Sequence, residues 1–318
     1  MSSDARQVDD LSPPRQRHLT GRIARIVLGA AGLAFLVGAL VSTWDRSERL
    51  LRSPWRLAGA FALMVVALAL WARAWSSLFG NEAAPRELRH GFYLSQLGKY
   101  VPGGIWQAAG LVGLARDAGA DLARASTAFV VLAVAQVAGA ATVGGLAAIA
   151  APDLSAPFRI AVIAGLALVA LVHRGWMVAT LRLAARVVKR LDVSLVPAQG
   201  AILRAYAWSV AAAAAGACSF TVIAHPGSAA LDVSAVAAFA TAWWIGFVAI
   251  PFPSGIGIRE AVLLGALRAS LGSGVVLGAA VGQRLAAIVA ELTLIGATGT
   301  LHLHRRRRPR APDGAAST

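Results

Sequence analysis

The chain has 318 residues, of which 58% are hydrophobic and only 14% are charged, and its formal net charge is +15. A soluble domain has about 25% charged residues, so this composition excludes an ordinary soluble enzyme or binding module and indicates a membrane protein. The basic residues gather at the ends of apolar segments, which favours orientation in a membrane over binding to nucleic acid.

The N-terminal region mixes arginines with Asp4, Asp9 and Asp10. Acidic residues at these positions are a poor pattern for a cleaved signal peptide. We therefore expect residues 1–21 to form a disordered basic tail that is followed by a retained signal anchor.

Six apolar segments approach the length of about 20 residues that a helix needs to cross a bilayer. The fourth is short and would have to place Arg159 and His173 at the two membrane surfaces. The six predicted crossings are residues 23–41, 55–78, 125–150, 158–172, 205–224 and 275–300.

The charges of the loops predict the orientation, because arginine and lysine in short loops mark the cytoplasmic side. Both tails and residues 174–204 are rich in these residues, whereas the links 151–157 and 225–232 contain none. Residues 42–54 are a mild exception, since they should face outside yet hold three arginines. We expect a multi-pass protein of the cytoplasmic (inner) membrane with both termini in the cytoplasm, including a basic C-terminal tail at 304–318.

Two further segments, residues 86–121 and 233–271, show the pattern of helix, glycine/proline break and helix, with halves too short to span a bilayer. Irregular backbone at membrane depth must be buried in protein or line a wet cavity. We therefore predict two re-entrant helical hairpins, and a surface loop or one bent crossing is the alternative. Proline removes a backbone donor and glycine frees the backbone, so we assign the hairpin tips to Pro102, Gly103 and Gly104 in the first hairpin and to Pro253, Ser254, Gly255 and Gly257 in the second.

An internal repeat relates the two halves of the chain. The sequence LVGLAR at 111–116 aligns with LLGALR at 263–268 at an offset of 152, and PGGI at 102–105 aligns with PSGI at 253–256 after a shift of one residue. The order crossing, crossing, broken hairpin, crossing therefore occurs twice. Three crossings per copy is an odd number, so the second copy would enter the membrane upside down, as in secondary transporters whose interrupted helices form the substrate site near the midplane.

The predicted fold class is thus an all-α polytopic membrane protein with about six transmembrane helices and two re-entrant hairpins in an inverted-topology repeat. The expected transmembrane domain covers residues 22–303, with repeat 1 at about 22–150 and repeat 2 at about 157–303.

Charged residues at membrane depth are the candidates for function, because each costs about 2.5–3.5 kcal/mol on insertion scales unless it faces a partner or a cavity. We predict that Lys99, Arg259 and Arg284 bind the phosphate of a lipid headgroup, with Glu260 or Glu291 as ion-pair partners. A purely structural set of buried ion pairs is the open alternative. The candidates at this depth are Lys99, Arg116, Arg259, Glu260, Arg268, Arg284 and Glu291.

Polar and aromatic residues near these charges are weaker candidates. Gln107, Gln136 and Gln283 would add polar lining, and backbone amides at the second half-helix of a hairpin would point at an anion. We expect packing or interface roles for Trp106, Trp243 and Trp244.

The pattern of the sequence argues against an enzyme. All six histidines fall in tails, links or crossing ends, and the chain contains no CxxC pair, phosphate-binding loop or nucleophile elbow. We therefore expect no catalytic residues, no metal and no cofactor.

The segments LSQLGKYVPGGIWQ at 94–107 and PFPSGIGIREAVLL at 251–264 resemble the paired signatures of the lysylphosphatidylglycerol synthase transmembrane region, a flippase-like membrane family. The resemblance covers roughly residues 22–300. In two-part members this region is followed by a cytosolic domain that transfers lysine to phosphatidylglycerol, and here the chain stops after its arginine-rich tail, so we expect no synthase activity. Ser254 stands where a glycine is more usual. The residues that match the two signatures are Lys99, Tyr100, Pro102, Gly103, Gly104, Pro253, Gly255, Gly257, Arg259 and Glu260.

Two functional hypotheses follow. The first is ATP-independent translocation of an anionic lipid, such as a phospholipid, an aminoacyl-phospholipid or a polyprenyl-phosphate-linked glycan, through a polar cavity between the hairpins. The second is a membrane scaffold or accessory subunit for a glycosyltransferase or lipid-modifying enzyme. The first predicts headgroup contacts at Lys99, Tyr100, Gly103, Gly104, Gln107, Arg259, Glu260, Arg284 and Glu291. Either function is compatible with an oligomer.

Overall fold

The computed structural model describes residues 54–100, 105–186, 191–225, 232–249, 255 and 257–306. Within these ranges every regular element is a helix. The predicted N-terminal tail and first crossing lie outside the described residues, as does the C-terminal tail from residue 307. The α-helices are α1 Pro54–Ser76, α2 Pro85–Ser95, α3 Trp106–Asp117, α4 Leu122–Ile149, α5 Ala156–Ala164, α6 Arg174–Ala185, α7 Gln199–Ala224, α8 Val233–Val248, α9 Ile258–Leu271 and α10 Ser273–Arg306.

Four helices, α1, α4, α7 and α10, are long and apolar enough to cross a membrane. A fifth span results if residues 156–172 and α6, which meet at an angle of 91°, count as one. Large apolar side chains are exposed on these helices, among them Leu146 on α4 and Val289 on α10, each more than half exposed. Extensive apolar exposure of this kind marks a surface that contacts lipid or a partner. The architecture is therefore compatible with a multi-pass membrane protein.

Four predicted crossings correspond to these four helices, with shifted ends. The fifth predicted crossing, residues 205–224, begins six residues earlier in the structure, because α7 starts at Gln199. The fourth differs more, since α5 passes at Gly165 into a 3-10 helix that ends at Val172. His173 then turns the chain into α6, and its ring Nδ1 accepts a hydrogen bond from the Gly175 N–H at 3.2 Å.

Both segments with a glycine/proline break contain two short helices that pack against each other. In the first, α2 continues as a 3-10 helix at Gln96–Tyr100 before α3 begins. In the second, α8 packs on α9. We call these pairs hairpin 1 (α2 and α3) and hairpin 2 (α8 and α9).

The helices pack in a pattern that is preserved when α1 to α4 are exchanged with α7 to α10. Three contacts of the first set have a counterpart in the second. The contact of α4 with α7 corresponds to that of α10 with α1, and the contact of α4 with α8 corresponds to that of α10 with α2. The contact of α3 with α4 corresponds to that of α9 with α10. Helices α3 and α9 begin at Trp106 and Ile258, which is the offset of 152 found in the sequence. In this arrangement α1 packs against α7, hairpin 1 contacts α1, and hairpin 2 contacts α7.

Small residues allow the close helix packing. A Cβ atom added to Gly139 of α4 would lie 2.8 Å from the carbonyl carbon of Ser209 on α7. The same atom on Gly144 would lie 2.9 Å from Thr241 Oγ1 on α8. Close approach at small residues is how helices associate where lipid removes the hydrophobic driving force between them.

Candidate functional site

The tip of hairpin 1 is built on a tight contact between its two halves. A Cβ atom on Gly98 would lie 2.7 Å from the backbone nitrogen of Gln107, so only glycine lets the 3-10 helix reach the first turn of α3. Gln107 Nε2 donates a hydrogen bond to Gln96 Oε1 at 3.2 Å across the same contact. The two side chains that follow, Lys99 and Tyr100, therefore leave the hairpin at its tip.

Lys99 and Tyr100 both bind Glu291 in the apolar part of α10. The Lys99 ammonium forms an ion pair with one carboxylate oxygen, and the Tyr100 hydroxyl donates to the other at 2.9 Å. The Glu291 side chain is only 2% exposed. A carboxylate buried in this way needs such partners, because an isolated charge in an apolar surrounding is strongly disfavoured.

The tip of hairpin 2 uses glycines in the left-handed region of backbone space. Gly255 and Gly257 have φ values of 66° and 85°, which side chains with a Cβ rarely adopt. The Gly257 N–H donates to Glu260 Oε2 at 2.7 Å, so Glu260 caps the start of its own helix, α9. The other oxygen of Glu260 lies 2.8 Å from Arg284 Nη2 on α10. Hairpin 2 is therefore attached to α10 by an ion pair, as hairpin 1 is.

Arg259 is the cation of this region that has no carboxylate partner among the residues that the structure describes. Its guanidinium carbon lies 5.7 Å from the centroid of the Trp243 ring, within the range of a cation–π contact. Its side chain passes so close to Gly246 that a Cβ there would lie 2.6 Å from Arg259 Cγ. Within the described residues, its buried Nε has no hydrogen-bond acceptor, and it forms no ion pair with a carboxylate.

Two carboxylates and three cations from three separate segments lie close enough to interact electrostatically, and they form one group. Counting their formal charges leaves one positive charge, which corresponds to Arg259, the member without a carboxylate partner in the described part of the chain. A buried excess of charge favours a ligand of the opposite sign. We call this group the central charge cluster, and its members are Lys99, Tyr100, Arg259, Glu260, Arg284 and Glu291.

Other sequence candidates lie elsewhere. Arg116 and Arg268 are exposed near the C-terminal ends of α3 and α9 and do not join the central charge cluster. Gln283 donates to the sulfur of Met64 on α1 at 3.1 Å, which makes it a packing contact. Five predicted tip and headgroup residues fall outside the described residues: Pro102, Gly103, Gly104, Pro253 and Ser254.

The aromatic residues behave mainly as packing residues. Trp243 stacks on Trp71 of α1 and on Phe247, with ring centroids at 5.0 and 5.2 Å. Trp244 contacts the chain at Gly165, and Gln136 is buried within α4. Trp243 has a second role, because its ring makes the cation–π contact with the Arg259 guanidinium.

Sequence reasoning missed two glycines that shape the site, Gly98 and Gly246. The missing Cβ at Gly98 allows the segment that carries Lys99 to pack on α3. The missing Cβ at Gly246 leaves room for the side chain of Arg259. A glycine inside an apolar helical stretch, as in WWIGFV, is the signal that indicates such an approach.

No group of three or more metal-ligating residues (His, Cys, Asp or Glu) occurs in the part of the chain that the structure describes. The central charge cluster instead presents ammonium, guanidinium and hydroxyl donors, which suit phosphate or carboxylate oxygens. Its two carboxylates are each held by a cation.

The fold and the site define a helical protein, compatible with multiple membrane spans, that carries an ionised cluster between two helical hairpins and a long apolar helix. A scan of the chain against protein-family models and a search of curated proteins find no match.

Proposed function

We propose that this protein moves an anionic lipid between the two leaflets of the cytoplasmic membrane without ATP. The headgroup would pass through the central charge cluster while the acyl chains stay in the bilayer. The lipids that fit are phospholipids, aminoacyl-phospholipids and polyprenyl-phosphate-linked glycans, which all carry a negatively charged phosphate.

One observation supports this proposal above the others, namely that Arg259 pairs with no carboxylate in the ranges that the structure describes. A guanidinium group presents donors that match two phosphate oxygens at once. Here its buried Nε has no acceptor within the described residues. A buried donor without an acceptor costs about 1–3 kcal/mol, and more when the group is charged. A phosphate that binds Arg259 removes this cost.

The preserved packing pattern of α1–α4 and α7–α10 supports an inverted repeat with re-entrant hairpins, one entering from each side. Such a repeat gives a transporter two similar half-structures, between which a midplane site opens to either side in turn. Helix α10 contacts both hairpin tips through opposite charges, since Arg284 binds hairpin 2 and Glu291 binds hairpin 1. We infer that movement of the tips relative to α10 opens the site. The resemblance of both tip sequences to the flippase-like family agrees with this function.

Reconstitution tests the proposal directly. Purified full-length protein is placed in liposomes that contain fluorescent phosphatidylglycerol, and dithionite quenching reports how much of the lipid changes leaflet. We expect wild-type protein to move the lipid, and Arg259→Ala to reduce the rate about 10-fold or more, since a hydrogen bond to a charged group contributes about 1.5–3 kcal/mol.

Arg268→Ala is the matched control, because Arg268 lies on the same helix but is exposed and outside the central charge cluster. It should leave the rate unchanged. Lipid movement that persists in Arg259→Ala, or its absence in folded wild-type protein, would favour the scaffold hypothesis and refute the proposal.

A further inference from the structure

The two carboxylates of the central charge cluster are held in different ways. Glu260 has one partner on α10, Arg284, and a second partner in its own helix, the Gly257 N–H at 2.7 Å. Glu291 belongs to α10, but the bonds that the structure describes for it come from Lys99 and Tyr100 of hairpin 1. The two residues therefore respond differently when the hairpins move.

Glu260 keeps its charge stabilised when Arg284 leaves it. Its carboxylate stays at the first turn of α9, where the backbone N–H of Gly257 donates and the helix dipole favours a negative charge. Glu291 has no comparable support in its own helix, because position 291 lies in the interior of α10, far from either end.

At hairpin 1, the Glu291 carboxylate competes with a headgroup phosphate for the donors of Lys99 and Tyr100. In the described residues, Lys99 is the cation at this tip, and both Lys99 and Tyr100 bind the Glu291 carboxylate. A headgroup that passes from Arg259 to hairpin 1 and takes over both bonds replaces that carboxylate. This step leaves Glu291, which is 2% exposed, without the two partners described for it.

We propose that Glu291 binds one proton when an anionic headgroup takes its place on Lys99 and Tyr100, so that headgroup binding at hairpin 1 is coupled to proton uptake. A buried carboxylate without a partner is disfavoured by several kcal/mol, and protonation removes that cost. The proton comes from bulk solvent and binds a Glu291 carboxylate oxygen, while Lys99 and Tyr100 keep theirs. This inference rests on the proposed function and assigns its coupling ion.

In this exchange the proton balances the charge of the headgroup. A monoanionic phosphodiester and one proton together add no net charge, so the cluster keeps its single positive charge with the headgroup bound. Among the described residues, four other ionisable groups face this region: Arg259 and Glu260 from α9, Arg284 from α10 and His90 from α2. The His90 Nδ1 atom lies 2.7 Å from Thr298 Oγ1, which is two turns beyond Glu291 on α10.

Calorimetry on the purified full-length protein counts the proton. Dihexanoyl-phosphatidylglycerol, a short-chain soluble probe, is titrated at pH 7 in three buffers that differ in ionisation enthalpy. The slope of the observed heat against that enthalpy gives the number of protons bound. We expect about one proton for the wild type, and an apparent Kd that rises up to about tenfold per pH unit as the solution is made more alkaline.

Two variants assign the proton to a residue. Glu291→Gln, which keeps the shape of the side chain without its charge, should bind the probe with no proton uptake and with an affinity that varies little with pH. Glu82→Gln is the control, because Glu82 is exposed and pairs with Arg124 outside the central charge cluster. It should take up the same proton as the wild type.

The outcomes separate the two proposals. Binding of the probe to wild-type protein without proton uptake overturns the coupling but leaves lipid transport standing, and this is expected if Arg259 moves to pair with the displaced Glu291. Proton uptake that persists in Glu291→Gln also overturns it. If the folded wild-type protein binds no probe in any buffer, the lipid-binding function itself fails.

Discussion

Removing Lys99 should destabilise the protein because Glu291 then loses its ion pair. Breaking a buried ion pair by removing one partner costs about 3–5 kcal/mol. Here the Lys99 side chain is 24% exposed, and Tyr100 still donates to the carboxylate at 2.9 Å. A remaining hydrogen bond to a charged group offsets part of the loss, so we expect Lys99→Ala to lower the free energy of unfolding by about 2–3 kcal/mol.

A double substitution distinguishes the ion pair from the packing around it. Replacing both partners by apolar residues of similar size is often neutral, so Lys99→Met combined with Glu291→Leu should recover the stability to within about 1 kcal/mol. Tyr100 is 46% exposed, so its side chain is free to turn away from the new apolar pair. The same double variant should not transport lipid, because it lacks both the Lys99 donor that would bind the headgroup and the Glu291 carboxylate that the headgroup would replace.

Unfolding by SDS in mixed micelles, followed by circular dichroism, measures these differences. Glu82→Gln serves as the reference, because its ion pair with Arg124 is on an exposed side chain and exposed pairs contribute about 0–1 kcal/mol. A loss in Lys99→Ala no larger than this reference would refute the burial argument. A stable double variant that still moves lipid would show that the ion pair is structural.

Three further substitutions test other parts of the structure. Gly246→Ala places a Cβ 2.6 Å from Arg259 Cγ, so it should reduce lipid transport as strongly as Arg259→Ala does; Gly265→Ala, where no atom lies within 4 Å, should leave the dithionite-measured rate unchanged. Gly139→Ala forces α4 away from the α7 backbone, and overpacking of this kind costs about 1–3 kcal/mol, which SDS unfolding would detect; a neutral result would contradict the close helix contact. Asp121→Ala removes the cap of α4, where Asp121 Oδ2 accepts from two backbone N–H groups, and should cost about 1 kcal/mol in the same assay, while an unchanged unfolding midpoint would argue against the cap.

The apolar pattern identified the long helices but not their shapes. Helices α1, α4, α7 and α10 follow from runs of about 20 apolar residues, because any such run must satisfy its backbone hydrogen bonds internally. The bend at His173 did not follow, since it depends on the packing of residues 165–172 against Gly145, whose Cβ would lie 2.5 Å from Leu166 Cγ. Such an approach between segments cannot be read from either segment alone.

The candidate residues of the site were also identified from the sequence, but their pairing was not. Charges inside apolar segments are costly and therefore rare, so Lys99, Arg259 and Glu291 could be selected one by one. Which carboxylate binds which cation depends on where hairpin tips meet α10. From the sequence alone Glu260 and Glu291 are interchangeable, whereas the structure pairs Glu260 with Arg284, and Glu291 with Lys99 and Tyr100.

Composition and hydrophobic length were sufficient to establish a helical chain compatible with a membrane, because the bilayer imposes the same length and backbone constraints on every crossing. The tertiary structure alone decided that Arg259 has no carboxylate partner among the described residues, that Gly246 makes room for it, and that Glu291 is bound by hairpin 1. These facts arise from contacts between segments far apart in the chain, and local sequence carries little information about which distant side chain will fill a given space.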